Sequence, residues 1–186
     1  MILLFLPILI AAAVAAWAGA RLLARQRQGG RRAHSRPGQF GAWAMIWTVV
    51  PALAVLIGAA LLTPIVENGL IASGAPEAVA ELEPLRRAAF FADARAVGAG
   101  HPAAQVWAAP HAELLPAEGA RLARIGWMLE LAGLVLAGLA ALLGALFAFH
   151  RIRPDMRARN RVEGWIVGLL FASSAVAVLT TIGIVA

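Results

Sequence analysis

The sequence predicts an all-α, polytopic membrane protein with four transmembrane helices and a partly helical outer loop. Three observations support this fold class. Hydrophobic residues make up 61% of the 186-residue chain, and the mean hydropathy is +0.79, above an ordinary soluble domain. Four apolar stretches each have about the ~20 residues that a spanning helix needs. The arginines gather in two short segments between these stretches, as is typical of loops retained on one side of a membrane.

The first apolar stretch has two interpretations, because it could be a cleaved signal peptide or an uncleaved helix. Small residues at its end would suit cleavage. However, no basic residue precedes it and six arginines follow it, so we predict an uncleaved helix with its N-terminus outside. The four predicted helices lie at about residues 2–20, 40–66, 125–149 and 164–186.

Loop charge predicts the orientation of these helices. Residues 21–39 carry six arginines and no acid, and residues 150–163 carry five arginines against two acids. Residues 67–120 have the reverse balance, with seven acids against three arginines. Because basic short loops are retained in the cytoplasm, we expect both short loops inside and the long loop outside. Both termini are then predicted to be periplasmic, in a bacterial inner membrane.

Tryptophan positions give a check on this orientation, because the indole ring prefers the membrane interface. Four tryptophans fall near predicted inner helix ends, one falls near an outer end, and one lies outside the pattern. In that order they are Trp17, Trp43, Trp47 and Trp165, then Trp127, then Trp107.

The predicted outer loop, residues 67–123, is too long to be a simple connector. Residues 77–97 are predicted to be helical, with Pro76 suited to a first turn. We expect a break at Pro84, because proline interrupts a helix. Frequent glycine and proline predict irregular structure over residues 98–116.

Composition and motifs exclude several functions. The net charge is +6 and every basic residue is arginine, but these arginines flank apolar stretches, so we expect no nucleic-acid partner. The absence of cysteine excludes disulfides, thiol catalysis and cysteine-type zinc sites. No two histidines have i+3 or i+4 spacing, and no Walker motif, nucleophile elbow or HExxH motif is present. We therefore expect no metal, no cofactor and no catalytic residue.

Candidate functional residues are the polar groups inside the apolar stretches. Glu130 is the ionisable residue within a predicted span, which is a functional-site hypothesis by default. The alternative is structural: Glu130 lies only ~9 Å from the outer end of the predicted helix and could pair with Arg124 or a neighbouring helix. Hydroxyls in the fourth stretch could line a pathway or bond back to their own helix. They are Ser173, Ser174, Thr180 and Thr181.

The third stretch has small residues on one face, at a spacing of mostly four. This pattern allows helices to pack closely in lipid. The residues are Gly126, Gly133, Ala137, Ala141 and Ala145.

The fourth stretch and the segment before it resemble a known family. Residues 157–163 read Arg-Ala-Arg-Asn-Arg-Val-Glu, and the following helix ends in Ala-Val-Leu-Thr-Thr-Ile-Gly-Ile-Val at 177–185. A basic loop with His-Ser-Arg-Pro-Gly at 34–38, a helix containing Trp and Pro, and an acidic outer segment agree with it. The chain is similar to the N-terminal region of one class of PstC, the permease subunit of the bacterial phosphate ATP-binding cassette transporter.

The resemblance implies a division of the chain and a function. Residues 1–156 would form an N-terminal membrane extension, and residues 157–186 would begin the permease core, with the first core helix at about 164–186. The implied function is that of the N-terminal part of a permease subunit of an ATP-binding-cassette importer for inorganic phosphate. The family's core has further helices, so the resemblance implies either a fragment of a longer permease or a split or truncated gene product. The residues that would contact phosphate are then expected beyond Ala186.

The resemblance also implies partners. These are a second permease subunit, a separate ATPase subunit and a periplasmic phosphate-binding protein, together with the lipid bilayer. The alternative is a free-standing membrane adaptor or sensor that acts through its periplasmic loop. A membrane-embedded enzyme is the weakest interpretation, because no catalytic constellation is visible.

Overall fold

The chain has an all-α fold, as predicted. The computed structural model describes residues 2–28, 36–103, 109–153 and 158–185, and contains no strand within these ranges. Trp107 and parts of both arginine-rich loops (29–35 and 154–157) lie outside the described residues. The helices are α1 (Ile2–Gln28), α2 (Pro37–Ser73), α3 (Glu77–Ala80), α4 (Pro84–Gly98), a 3-10 helix (Ala109–Leu114), α5 (Leu115–Arg151) and α6 (Ala158–Val185).

Four helices, α1, α2, α5 and α6, are long and apolar enough to cross a membrane. Their most apolar windows have mean hydropathies between 1.9 and 2.4. The predicted four-helix membrane fold is thereby confirmed, and the chain is a multi-pass membrane protein. The helices continue beyond the apolar stretches themselves. Helix α5 begins at Leu115, about ten residues before its apolar stretch, because alanine, leucine, glutamate and arginine in that segment are all good helix formers.

The chain forms two compact units, each with its own core. The first unit comprises Met1–Leu53 and Ala137–Ala186, and the second comprises Ala54–Leu136. In the first unit, the C-terminal parts of α1 and α5 pack with the N-terminal parts of α2 and α6. Phe40 and Ile152 are each only 1% exposed there, between alanines spaced four apart on α1. This packing brings the flanks of both arginine-rich loops to one end of the unit, the arginine-rich end.

Helices α2 and α5 approach closely in the first unit at a proline and a glycine. Pro51 has no N–H, so the carbonyl of Trp47 four residues earlier has no helical donor. Gly144 of α5 lies against that carbonyl, and a Cβ at this position would overlap the Trp47 oxygen. Of the small residues predicted to pack on the third stretch, Ala141 is buried in a cluster with Leu9 and Ala52, whereas Gly126 has no neighbour within 4 Å.

The second unit has a core to which α3 and α4, the end of α2 and the start of α5 all contribute. Phe90 and Phe91 of α4 pack edge to face, with ring centroids 5.6 Å apart, and Val79 of α3 is fully buried beside them. The predicted break at Pro84 is confirmed, because α3 ends at Ala80 and α4 begins at Pro84. Proline is tolerated at this first helical position, where the backbone N–H would be unpaired in any case.

Two contacts fix α5 within the second unit. Gly98 of α4 and Gly119 of α5 meet backbone to backbone, since a Cβ on Gly119 would lie 2.7 Å from the Ala94 carbonyl oxygen. Arg121 of α5 donates hydrogen bonds to the carbonyls of Leu70 (2.9 Å) and Gly74 at the end of α2. A cation at a helix C-terminus satisfies its last carbonyls and opposes the negative end of the helix dipole.

Candidate functional site

An aromatic cluster lies at the arginine-rich end of the first unit. Trp47 is its centre, with ring centroids 5.6 Å from Trp43, 4.5 Å from Phe147 and 5.6 Å from Trp165. The two tryptophan pairs are edge to face, an arrangement that the ring quadrupole favours. The cluster therefore joins α2, α5 and α6 at the arginine-rich end of the unit.

Three arginines stack on rings of this end. The guanidinium carbon of Arg21 lies 4.2 Å from the Trp17 ring centroid, and those of Arg151 and Arg161 lie 5.3 and 5.6 Å from Phe147 and Trp43. Each contact contributes about 0.5–1 kcal/mol at an exposed site. The same end contains eight described arginines and one described glutamate: Arg21, Arg25, Arg27, Arg36, Arg151, Arg153, Arg159 and Arg161, with Glu163.

The arginines at this end are engaged to different degrees. Arg27 donates a hydrogen bond of 2.5 Å to the carbonyl of Ile152, which ties α1 to the end of α5. Arg159 pairs with Glu163 on its own helix at 2.6 Å. Arg161 stacks on Trp43, but no described carboxylate pairs with it.

A groove of about 530 Å³ lies at this position between α2 and α6. Its polar end has Asn160 and Arg161, and the rest is lined by small or apolar side chains of α6 and by tryptophan. Because Gly164 and Gly168 are four residues apart, they lie on the same face of α6. A Cβ at either glycine would meet nothing within 4 Å, so this face is not occupied by another part of the described chain.

Two indole groups beside the groove have an unusual environment. The Nε1 atoms of Trp43 and Trp47 are buried and have no hydrogen-bond partner among the described residues. Edge-to-face neighbours supply electron-rich ring faces, toward which an N–H can form only a weak bond.

A second groove of about 450 Å³ is lined by α1, α2 and α5 of the first unit. It is almost wholly apolar, and its polar member Thr48 already donates a hydrogen bond of 2.8 Å to the Ala44 carbonyl. This groove offers no free polar group for recognition of a ligand.

Glu130, the predicted intramembrane carboxylate, lies in α5 within the second unit. Its side chain is half-buried and takes part in an interaction within the structure. Because α5 begins at Leu115, Glu130 is about 22 Å along the axis from the start of its helix. The ~9 Å separation that the sequence indicates applies only to the apolar stretch, since the helix itself continues beyond it.

The predicted hydroxyl cluster lies on α6, and the structure does not bring it together with Glu130 in one unit. The Ser173 hydroxyl donates to the Leu170 carbonyl at 2.9 Å, and those of Thr180 and Thr181 donate to carbonyls four residues earlier at 2.8 and 2.9 Å. These bonds favour the second of the two interpretations, in which the hydroxyls bond back to their own helix. Ser174 is exposed, as are the other three.

The groove was not among the sites predicted from the sequence. The sequence feature that could have indicated it is a regular spacing of four residues, which relates Asn160, Gly164, Gly168 and Ala172.

Among the described residues, no group of three or more His, Cys, Asp or Glu side chains could hold a metal ion.

Comparison with known protein families gave a match. A family model described as phosphate ATP-binding cassette transporter matches residues 6–180, nearly the whole chain. Neither a search of curated proteins nor a search of solved structures gave a match.

Proposed function

Because the chain belongs to the phosphate ATP-binding cassette transporter family, we propose that it is the N-terminal part of a PstC-type permease subunit of a phosphate importer. The family match over residues 6–180 is the observation that carries this proposal. Four membrane-spanning helices suit a permease rather than a soluble subunit. In this proposal residues 1–156 are a membrane extension, and residues 157–186 begin the transport core.

Helix α6 has the exposure that the first helix of a larger core would need. From Ile166 to Ile184 every residue is exposed, and none of its most apolar window is buried. Around the helix, the hydroxyl face with Ser174 and Thr181 is centred about 130° from the midpoint between Gly164 and Ala172 on the groove face. We assign the hydroxyl face to contact with further permease helices, with Glu130 as a separate intramembrane polar contact.

The proposed partners are a second permease subunit, an ATPase subunit and a periplasmic phosphate-binding protein. The proposed location is a bacterial inner membrane with both termini in the periplasm. Cysteine accessibility tests this orientation: Ala103→Cys should react with an impermeant maleimide in intact cells, and Ala33→Cys should react only after permeabilisation. The opposite labelling would overturn the topology.

Uptake of radiolabelled phosphate by cells at low phosphate concentration tests the function. Deletion of the coding region should abolish high-affinity phosphate uptake, and a plasmid copy should restore it, while sulfate uptake is unchanged. Affinity purification in mild detergent should recover an ATPase subunit. Unchanged phosphate uptake after deletion would contradict the proposal.

One observation favours the adaptor or sensor as a second candidate. The segment between α2 and α5 is folded: its Phe90 and Phe91 share a buried core with residues of α2 and α5, as a binding module at this position requires. If the deletion leaves phosphate uptake intact but alters phosphate-responsive gene expression, this second function replaces the first.

A further inference from the structure

We propose that the groove between α2 and α6 is a binding site for one anionic phospholipid, with its phosphate at Arg161 and an acyl chain along Gly164 and Gly168. This inference does not depend on the proposed transport function. It rests on the shape, polarity and charge of the groove.

The groove has the length of one membrane leaflet. Its lining on α6 extends from Asn160 to Ala172, about 18 Å along the helix axis. One leaflet contributes about half of the ~30 Å hydrocarbon core. A lipid with its headgroup at the arginine-rich end therefore fits along the groove.

The polarity of the groove also matches a lipid. Its charged and amide side chains, Arg161 and Asn160, are at one end, together with Trp43 and Trp165. Tryptophan is the residue type that is enriched at membrane interfaces. Beyond them the α6 lining is Gly164, Gly168, Leu169 and Ala172, which offers only apolar surface and space. Inorganic phosphate would use the first part of this groove but not the second.

Charge selects an anionic lipid over a zwitterionic one. The eight arginines at this end face one described glutamate, which is already paired with Arg159. Arg161 is held over Trp43 with no described carboxylate as its partner. Clusters of four to eight basic residues beside a spanning helix are a recognised signal for anionic lipid headgroups.

Native mass spectrometry of the full chain in detergent tests this site. The protein would be incubated with phosphatidylglycerol or phosphatidylcholine of identical acyl chains. We expect one phosphatidylglycerol to be retained about tenfold more tightly than phosphatidylcholine, as expected for a charge-assisted contact.

Two variants address the two ends of the groove, and each has a matched control. Arg161→Gln should reduce phosphatidylglycerol retention to the level of phosphatidylcholine, whereas Arg153→Gln, an exposed arginine outside the groove lining, should not. Gly168→Leu should fill the apolar part and prevent retention of both lipids. Gly183→Leu, on the same helix and also in open space, should have no effect. Circular dichroism would establish that all four variants remain helical.

Several outcomes would overturn the proposal. Equal retention of the two lipids, or an equal loss with Arg153→Gln, would show that Arg161 does not recognise a headgroup. Displacement of phosphatidylglycerol by millimolar inorganic phosphate would identify a free-anion site instead. A lipid-free dimer that Gly168→Leu disrupts would identify a helix of a second copy as the occupant.

Discussion

Helices α5 and α6 have similar mean hydropathies, 2.4 and 2.1, over their most apolar windows, but their burial differs. In α5, 28% of the window is buried, and in α6 none is. Glycines explain part of this difference. Gly119 and Gly144 of α5 each lie against the backbone of another helix, whereas Gly164, Gly168 and Gly183 of α6 meet nothing within 4 Å.

Arginines show the same contrast. Arg121 of α5 bonds the final carbonyls of α2, so that it connects two helices. Arg159 of α6 pairs with Glu163 one turn away on its own helix, and both side chains are more than half exposed. Helix α5 is therefore held by contacts within this chain, whereas the apolar surface of α6 is exposed in the described structure. Composition alone does not distinguish the two cases.

The difference in packing between α5 and α6 can be tested by substitution of glycines. The largest loss of stability is expected at Gly144. In Gly144→Ala the new Cβ would overlap the Trp47 carbonyl, and backbone at this position cannot move aside as a flexible side chain could. Overpacking of this kind costs about 3 kcal/mol. Unfolding in mixed micelles with increasing SDS, followed by tryptophan fluorescence, measures the free energy of unfolding. Gly138→Ala is the matched control, since Gly138 has no neighbour within 4 Å. Equal stability of the two variants would refute the proposed close contact.

A somewhat smaller effect is expected at Gly119. In Gly119→Ala the Cβ would lie 2.7 Å from the Ala94 oxygen and 2.8 Å from the Gly98 nitrogen, which forces α4 away from α5. We expect a loss of about 2 kcal/mol. Hydrogen exchange read by mass spectrometry should show faster exchange of α4 amides around Phe90. Gly126→Ala, on the same helix with nothing within 4 Å, should leave that exchange unchanged.

Arg121→Gln should have the next largest effect. The substitution removes bonds to the Leu70 and Gly74 carbonyls and the 2.9 Å pair with Glu118, in a site where the arginine is 28% exposed. Hydrogen bonds of charged groups suggest a loss of about 1–2 kcal/mol. The same SDS titration measures it. Arg159→Gln is the control from α6. A loss of stability as large as that of Arg121→Gln would show that the arginines of the two helices do not differ in their contribution to the fold.

The sequence was sufficient to predict the elements but not their contacts. Four apolar runs of spanning length identify α1, α2, α5 and α6, and Pro84 marks the start of α4, because these features depend on local composition. Arg121 was assigned to the predicted outer loop, since charge excludes it from an apolar stretch. Its role appears only when the end of α2, about fifty residues earlier in the chain, is placed beside it.

The groove shows the same limit of prediction from the sequence. The spacing of Asn160, Gly164 and Gly168 is visible in the sequence, but so is the similar small-residue spacing of α5. A glycine that packs against a neighbouring helix and a glycine that faces open space have the same sequence pattern around them. Only the tertiary structure shows that Gly144 contacts a carbonyl and that Gly168 lines the groove.

The smallest expected effect is at Gly183 of α6, where the contrast predicts no loss of stability at all. A Cβ there would meet nothing within 4 Å, and alanine is a better helix former than glycine by up to about 1 kcal/mol. Gly183→Ala should therefore unfold at the same SDS fraction as the unmodified chain, or at a slightly higher one. A loss approaching that of Gly144→Ala would mean that α6 packs tightly through this glycine in the folded protein. Helix α6 would then be held within the fold as α5 is, and its open surface could no longer be assigned to lipid or to further permease helices.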